Sequence, residues 1–442
     1  MKTKITLVLA ALLVSFNIGF SQQDEECMAN LQMFSDYAKQ KRYDEAYDAW
    51  MAVRKKCPKF NRAIYQYGEK ILKYKTENSS GAEKVGFIND HVKLLSEGNE
   101  YFTKYYKKGD IMSEGAQIKY TYKGDLGLTD EQLYNEFDNA FKTDLENFKH
   151  PQRLYTYFSL IVDLYDGGKK SAQEMFDKYD DVSDKVEEEV QKNAEKLNKL
   201  LEKEEAGTAL TSKEGRYKKQ YTSYLENYEK ISASMDQKLG DRANCEVLIP
   251  LYQKDFEENK NNSVWLQRAM NRMYNKGCKD DPMFVKLVEQ KHSIEPNAST
   301  ASYLYILTDD QKYFDESVRL ETDPIKKAKL YKKIAKEHKD KGSYGKARQY
   351  YSEALKLNPS DKTPHISIAA MYAKSANSCG DTNFNKRAVF WLAAQEIRKA
   401  GVSGESYEAK APSRADIFSE GMSGKTIKIG CWIGRSVKVP TL

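Results

Sequence analysis

The chain has 442 residues, with 71 Lys and Arg against 65 Asp and Glu, 40% apolar residues, 31 Tyr and 10 Pro. Nearly balanced, interspersed charge makes a solvated surface and excludes a nucleic-acid footprint. Sparse Pro and few Gly-rich runs favour helix.

Residues 1–21 place Lys2 and Lys4 ahead of an apolar run from Ile5 to Phe20, with small Gly19 and Ser21 before Gln22. This layout predicts a secretory signal peptide cleaved after Ser21 and an exported mature chain. A run of about 16 apolar residues is short for a membrane span. Cys27 comes too late to be the first residue of a lipoprotein, and no later stretch is apolar enough to cross a bilayer. Loss of Lys2 and Lys4 leaves 69 Lys and Arg against 65 Asp and Glu, a net charge of +4.

Residues 27–60 carry two apolar faces at helical spacing. Met33, Phe34 and Tyr37 make the first; Tyr43, Ala46, Trp50 and Val53 make the second; Pro58 ends the pair. The same register recurs in fuller form over 328–361. There Tyr331, Ile334, Ala335 and His338 lead to a turn at Gly342 and Tyr344, followed by Ala347, Tyr351, Ala354 and Leu355, and Pro359 stops the second helix. Small Ala347 and Ala354 let two antiparallel helices approach, and the aromatic positions fill the space between them. This 34-residue unit resembles the tetratricopeptide repeat, TPR. The resemblance implies an all-α, TPR-like solenoid of helical hairpins (an α-α superhelix), in which each hairpin needs neighbours to bury its apolar face.

A looser unit follows, with Tyr67, Gly68 and Ile71 on its first helix and Phe87, Val92 and Leu94 on its second. From about 100 to 128 the pattern fails. Gly109, Gly115, Gly124 and Gly127 read as breaks, and Ile118, Tyr120 and Tyr122 alternate as in a short strand. Helix resumes at a capping box of Thr129 and Gln132, so the N-terminal repeats span 22–150. From 151 to 240 the helices lengthen. Val182, Val186, Val190, Ala194, Leu197 and Leu201 form one stripe, and Tyr217, Tyr221, Tyr224, Tyr228, Ile231 and Met235 another, with the turn between Glu204 and Gly215. Spacing mostly in fours favours an elongated helical hairpin over a coiled coil.

Repeats return over 241–411: a pair from Trp265 to Pro296, a truncated hairpin from Asn297 to Pro324, the 328–361 unit, and a last unit. That last unit sets Ile368, Ala369 and Tyr372 on one helix and Ala388, Trp391, Leu392 and Ile397 on the next. Residues 412–442 differ in character. Two short alternating runs around Gly430 and Gly434 predict a short β-hairpin or an extended tail that caps the array.

Six cysteines in an exported chain suggest disulfides. Cys27 opens the first predicted helix and Cys57 follows the second; Cys245 and Cys278 repeat that arrangement, and helix ends of this kind meet when two helices fold back. Cys379 and Cys431 remain to join the last repeat to the tail. Beyond the single repeat, the mature chain resembles a family of exported TPR proteins of the Bacteroidota with a C-terminal GCWI-type tail. Cys245 to Leu251 with Gly277–Cys278, Ser378–Cys379–Gly380 with Arg387 to Trp391, and Ile429 to Ile433 carry this. The resemblance implies an envelope location, supports the Cys379–Cys431 pair and supplies no catalytic residues.

The sequence carries no recognised catalytic motif. Gly421 to Thr426 has Ser419 where a phosphate loop needs its first Gly, and is followed by strand rather than helix. No CxxC occurs and the five histidines are scattered, which argues against zinc; no metal or cofactor is expected. The Glu187–Glu188–Glu189 run reads as a solvated face, and the cysteines as structural staples rather than a redox pair. A TPR array offers a concave face lined by first helices, where Asn30, Lys332, Lys336 and His365 are exposed candidates and Tyr331 and Tyr372 read as core. The expected function is that of a non-enzymatic periplasmic scaffold or adaptor. Its partners would be other envelope proteins, in an outer-membrane biogenesis or secretion complex with which it associates peripherally. The alternative is a periplasmic chaperone holding unfolded clients.

Overall fold

The computed structural model describes residues 24–442; the expected signal peptide lies outside the described residues. Helical hairpins follow one another along the chain in two compact units. The first comprises the described residues up to Val186 together with Lys230–Lys238, the second Glu187–Glu229 with Leu239–Leu442.

The first unit begins with α1 (24–39), α2 (Tyr43–Lys56), α3 (Ala63–Glu77) and α4 (Gly81–Phe102). Phe34, Ala46, Trp50, Val53, Ile64, Tyr65, Ile71 and Leu94 form one core. Gly68 lets α3 approach: a Cβ there would lie 2.7 Å from the Trp50 indole and 2.8 Å from Leu94. Trp50 fills that space and donates from Nε1 to the Ile64 carbonyl at 2.7 Å. Met33, expected on the inner face, instead points outward.

The chain between 100 and 128 is mostly helical rather than stranded, with an irregular stretch at 103–107 and a stop at Gly127, which takes φ +63°. It forms α5 (Lys108–Thr121) and the short α6 (Lys123–Leu126) before α7 (Asp130–Thr143) and α8 (Pro151–Asp166). The physical reason is that Gly109 and Gly115 are contact points rather than breaks. A Cβ on Gly109 would sit 2.1 Å from the Asp144 carbonyl, and one on Gly115 would meet Val92. Packing of α5 on α4 and α7 overrides the weak glycine propensity. The Thr129–Gln132 capping box opens α7 with both reciprocal bonds present.

Two long helices follow, α9 (Ala172–Glu205) and α10 (Ser212–Leu239). On α10 the tyrosine stripe divides: Tyr228 and Met235 are buried, whereas Tyr217 and Tyr224 are exposed. The second unit continues with α11 (Cys245–Asn259), α12 (Ser263–Asn275), α13 (Pro282–Ile294), α14 (Ala298–Thr308), α15 (Gln311–Leu320) and α16 (Pro324–Asp340). Each of α11 to α16 opens on an Asn or Asp whose side chain accepts a backbone N–H of the first turn: Asn244, Asn262, Asp281, Asn297, Asp310 and Asp323. Such caps each contribute about 1 kcal/mol. The α14–α15 hairpin is the truncated one, with Asp309 in the left-handed region at its turn.

The full repeat is α16 with α17 (Tyr344–Leu357). Ile334, Ala335, Ala347, Tyr351 and Ala354 are buried between and behind them, Gly342 takes φ +77° at the turn, and Pro359 lies just beyond α17. The last unit is α18 (Thr363–Lys374) and α19 (Asn383–Lys399), followed by the short α20 (Glu405–Glu408) and α21 (Arg414–Ser419). The tail is an antiparallel hairpin of β1 (Thr426–Ile429) and β2 (Arg435–Lys438), with Ile427 opposite Val437 and Ile429 opposite Arg435. Ile427, Ile429, Ile433, Val437 and Val439 are buried in one core with Ala388, Trp391 and Leu392 of α19.

Three disulfides join Cys27 to Cys57, Cys245 to Cys278 and Cys379 to Cys431, with Cα–Cα distances of 6.4, 5.5 and 5.2 Å. The first two tie the ends of helix pairs; the third ties the tail to the loop before α19.

Candidate interaction surface

The four surface residues singled out from the sequence are all engaged locally. The Asn30 amide donates to the Glu26 carbonyl at 3.0 Å. Lys332 pairs with Asp361 and Lys336 with Asp340. His365 Nδ1 meets Glu396 Oε1 at 2.7 Å, and Lys399 meets the other oxygen of that carboxylate at 2.8 Å. Burial works against the Glu396 charge, but Lys399 and His365 outweigh it and hold the carboxyl below its ordinary value. Tyr372 is core, as its position suggests, while Tyr331 is half-buried and stacks on Tyr350.

Of the acidic run on α9, Glu187 and Glu188 are exposed as expected, and Glu189 is not. Glu187 pairs with Lys329 of α16 at 2.6 Å. Burial opposes its ionisation, and Lys329, Lys326 and Lys333 overcome that cost, so its carboxyl is held low. Glu189 is almost fully buried. Further along α9, Gln191 donates to Asp323 at 2.8 Å. The Asn198 amide donates to Asn358 at 3.1 Å and accepts from the Ser360 backbone N–H at 3.1 Å. Asn198 and Asn358 are both buried, so each amide must find its partner within the fold. Sequence periodicity followed the valines of α9 and missed this polar stripe, because a row of Glu, Gln and Asn at helical spacing also describes a solvated face.

Lys333, next to this contact, lies 3.9 Å from the Tyr303 ring centroid and 5.3 Å from that of Tyr274. Burial pushes its ammonium down to about 8, with Glu187 and Glu337 acting in the opposite direction. Glu337 in turn accepts from Tyr274 at 2.8 Å and pairs with Lys279. On α16, Lys326, Lys329 and Lys333 thus surround Glu187, and the α17–α18 turn holds the Asn198 amide.

At the α9–α10 turn there is an open cavity of about 850 Å³ bordered by Glu204, Gly207, Leu210, Lys218, Thr222 and Glu226. In the first unit, Arg153 pairs with Asp110 at 2.6 Å and Glu114 at 2.9 Å, an internal charge cluster between α5 and α8. Among the described residues, no group of three or more His, Cys, Asp and Glu stands where it would hold a metal. No helix among them is long and apolar enough to cross a membrane.

No protein-family model matches the sequence, and no curated protein matches it. Among solved structures, the chain is similar to a human IFIT1 dimer with PPP-AAAA, at 10% identity, 88% of this chain, 94% of that chain and a TM-score of 0.25. It is also similar to a human IFIT1 dimer with m7Gppp-AAAA, at 12% identity, 87% and 89% coverage and a TM-score of 0.25. A circular tandem repeat protein with novel repeat topology shares 9% identity over 91% and 99% of the two chains, with a TM-score of 0.18. Likenesses at these scores carry nothing about function, and the repeat class rests on the chain's own helix pairs.

Proposed function

We propose that this chain is an exported scaffold that holds one protein to another through its helical repeats, without catalysis of its own. The observation that carries the reading is the succession of helical hairpins itself, of which α16 and α17 form the fullest repeat, with α18 and α19 the next pair. Repeat arrays offer extended surfaces of this kind, and their usual work is recognition. Three disulfides suit an oxidising compartment, in keeping with a signal peptide cleaved after Ser21 and a place in the periplasm. The resemblance to exported Bacteroidota repeat proteins points the same way, toward an outer-membrane biogenesis or secretion complex. Gentle crosslinking followed by purification from the native envelope tests the reading. One or two proteins recovered at fixed ratio is the expected result. Recovery of the chain alone would overturn it, and many clients at low occupancy would favour a chaperone instead. Sequencing the N-terminus of the same material tests cleavage after Ser21.

A further inference from the structure

We propose that the outer face of the C-terminal hairpin, with Phe418 at the turn that leads into it, is a membrane-contact surface for bilayers carrying anionic phospholipid headgroups. The inference goes beyond the scaffold reading and does not depend on it.

The hairpin has two unlike faces. Exposure alternates along β1, so Ile427 and Ile429 turn inward to the core shared with α19, and Thr426 and Lys428 turn outward. On β2, Val437 turns inward, and Ser436 and Lys438 turn outward. The register sets Thr426 opposite Lys438 and Lys428 opposite Ser436. The two lysines are therefore diagonal neighbours, about 7–8 Å apart at the backbone, each facing a hydroxyl across the ladder. Lys425 adds a third ammonium just before β1. Among the described residues, none of these three lysines has an ion-pair partner. The reason lies in the sequence, since residues 421–442 hold four cations and no Asp or Glu. The fourth, Arg435, reaches back to Glu396 at 3.8 Å. Cations behind the hairpin are matched more closely: Arg387 with Asp416 at 2.8 Å, Arg398 with Glu408 at 2.5 Å and Lys399 with Glu396 at 2.8 Å. Like charges close together on one sheet face oppose each other, so this face is stabilised by anions from outside.

Two features select a lipid surface over an acidic protein. An ammonium is a compact point charge that takes a phosphate from any direction, whereas the guanidinium fork suits the reading of a carboxylate. The outward face carries lysine and hydroxyl groups alone. Phe418 is the second feature. It is 77% exposed, more than any other large apolar side chain among the described residues. Its carbonyl accepts the Gly421 N–H at 3.0 Å in the turn before β1. Exposed Leu442 returns to the same turn, donating from its backbone N–H to Ser423 Oγ at 3.1 Å. Unpaired cations near exposed apolar side chains make an interfacial contact, in which charge draws the surface in and the ring enters the headgroup region.

The test is vesicle cosedimentation with the oxidised mature chain, residues 22–442, so that the apolar N-terminal run does not itself partition into lipid. The chain should bind vesicles of equal parts phosphatidylglycerol and phosphatidylcholine at least about tenfold more tightly than pure phosphatidylcholine. Each cation near an anionic surface strengthens binding about fivefold. Lys425→Gln/Lys428→Gln/Lys438→Gln should therefore weaken binding to the anionic vesicles by about a hundredfold. Phe418→Ser should weaken it about tenfold and leave its salt dependence unchanged. A control, Lys73→Gln/Lys93→Gln/Arg319→Gln, removes the same charge from exposed positions elsewhere. It should cost less than about threefold, because charges beyond a Debye length of about 10 Å contribute little. No binding to the anionic vesicles, equal binding to both kinds, or a hairpin variant that loses no more than the control overturns the proposal. Loss of a protein partner with vesicle binding intact also overturns it, and assigns the face to an acidic protein. If the hairpin variant does not fold, a salt series on the unsubstituted chain decides. Its affinity for the anionic vesicles should fall at least about tenfold from low to high salt, and no change overturns the proposal. Recovery of the chain without envelope partners would refute the scaffold reading and leave these outcomes unchanged.

Discussion

Glu69 on α3 faces Glu114 and Asp110 of α5, the Tyr106 hydroxyl and the Arg153 guanidinium, and burial followed by the Glu114 charge pushes its carboxyl up to about 7 from 4.5. The folded chain therefore keeps this proton to higher pH than the unfolded chain does. The associated stability is complete below about pH 4.5 and is lost as pH rises through 7. His91 on α4 acts at the other end. Burial pushes it down to about 4 from 6.5, so its contribution is lost as pH falls from 6.5 toward 4. Glu69→Gln should raise the melting temperature at pH 8, by an amount equivalent to about 2–3 kcal/mol, and change it little at pH 4.5. Thermal scans at both values check this, and equal shifts at the two would contradict it. Gly68 gives a second residue-scale prediction. With a Cβ forced to 2.7 Å from an indole held by its own hydrogen bond, Gly68→Ala should cost about 1–3 kcal/mol by overpacking, measured by chemical denaturation. The sequence places Gly68 on the inner face of its helix; that it is a contact point, and not merely tolerated there, depends on the indole from α2 and is invisible until the two helices meet.

At the scale of elements, what could be read depended on whether the determining contacts were local. The repeat at 328–361, the capping box before α7 and the tail hairpin were legible because helical spacing, a cap and turn glycines lie within a few residues of one another. The α5 helix was not, since its glycines serve packing against α4 and the segment around Asp144. The Asn and Asp caps of α11 to α16 were a signal present in the sequence and passed over. The contact of α9 with α16 joins residues more than a hundred apart, and nothing in either segment alone announces it. The tail is held by several devices at once. Trp432 donates to Ser375 at 2.9 Å and lies between Tyr344 and Tyr372. Arg348 donates to the Ile433 carbonyl at 2.6 Å, and the Cys379–Cys431 bridge adds a covalent tie. Replacing both cysteines by Ser should therefore lower stability by about 2–4 kcal/mol without undocking β1 and β2. Hydrogen exchange on the double variant checks this: loss of protection in Ile427 and Ile429 would mean that the bridge, not the buried face, holds the tail.

Across the whole chain, each unit has its own core, the cluster around Trp50 in the first and the one around Trp391 in the second. In a repeat array each hairpin is stabilised chiefly by its neighbours, so damage at one end should fade along the chain. Deleting residues 424–442 removes Ile427, Ile429, Ile433, Val437 and Val439 from the second core. Each buried aliphatic contributes about 1.5–3 kcal/mol, an upper bound because unfolded chains bury some of this surface too. The deletion also bares the α19 face at Ala388, Trp391 and Leu392. The truncated chain should melt several degrees lower, and its amides should lose protection most in α18 and α19, less in α16 and α17, and not measurably in α2 to α4. Hydrogen exchange with peptide-level readout on the oxidised protein gives this gradient directly. Uniform loss of protection from α2 to α19 would contradict neighbour-limited coupling, and a truncated chain with unchanged protection in α19 would mean that the buried hairpin contributes nothing as a cap.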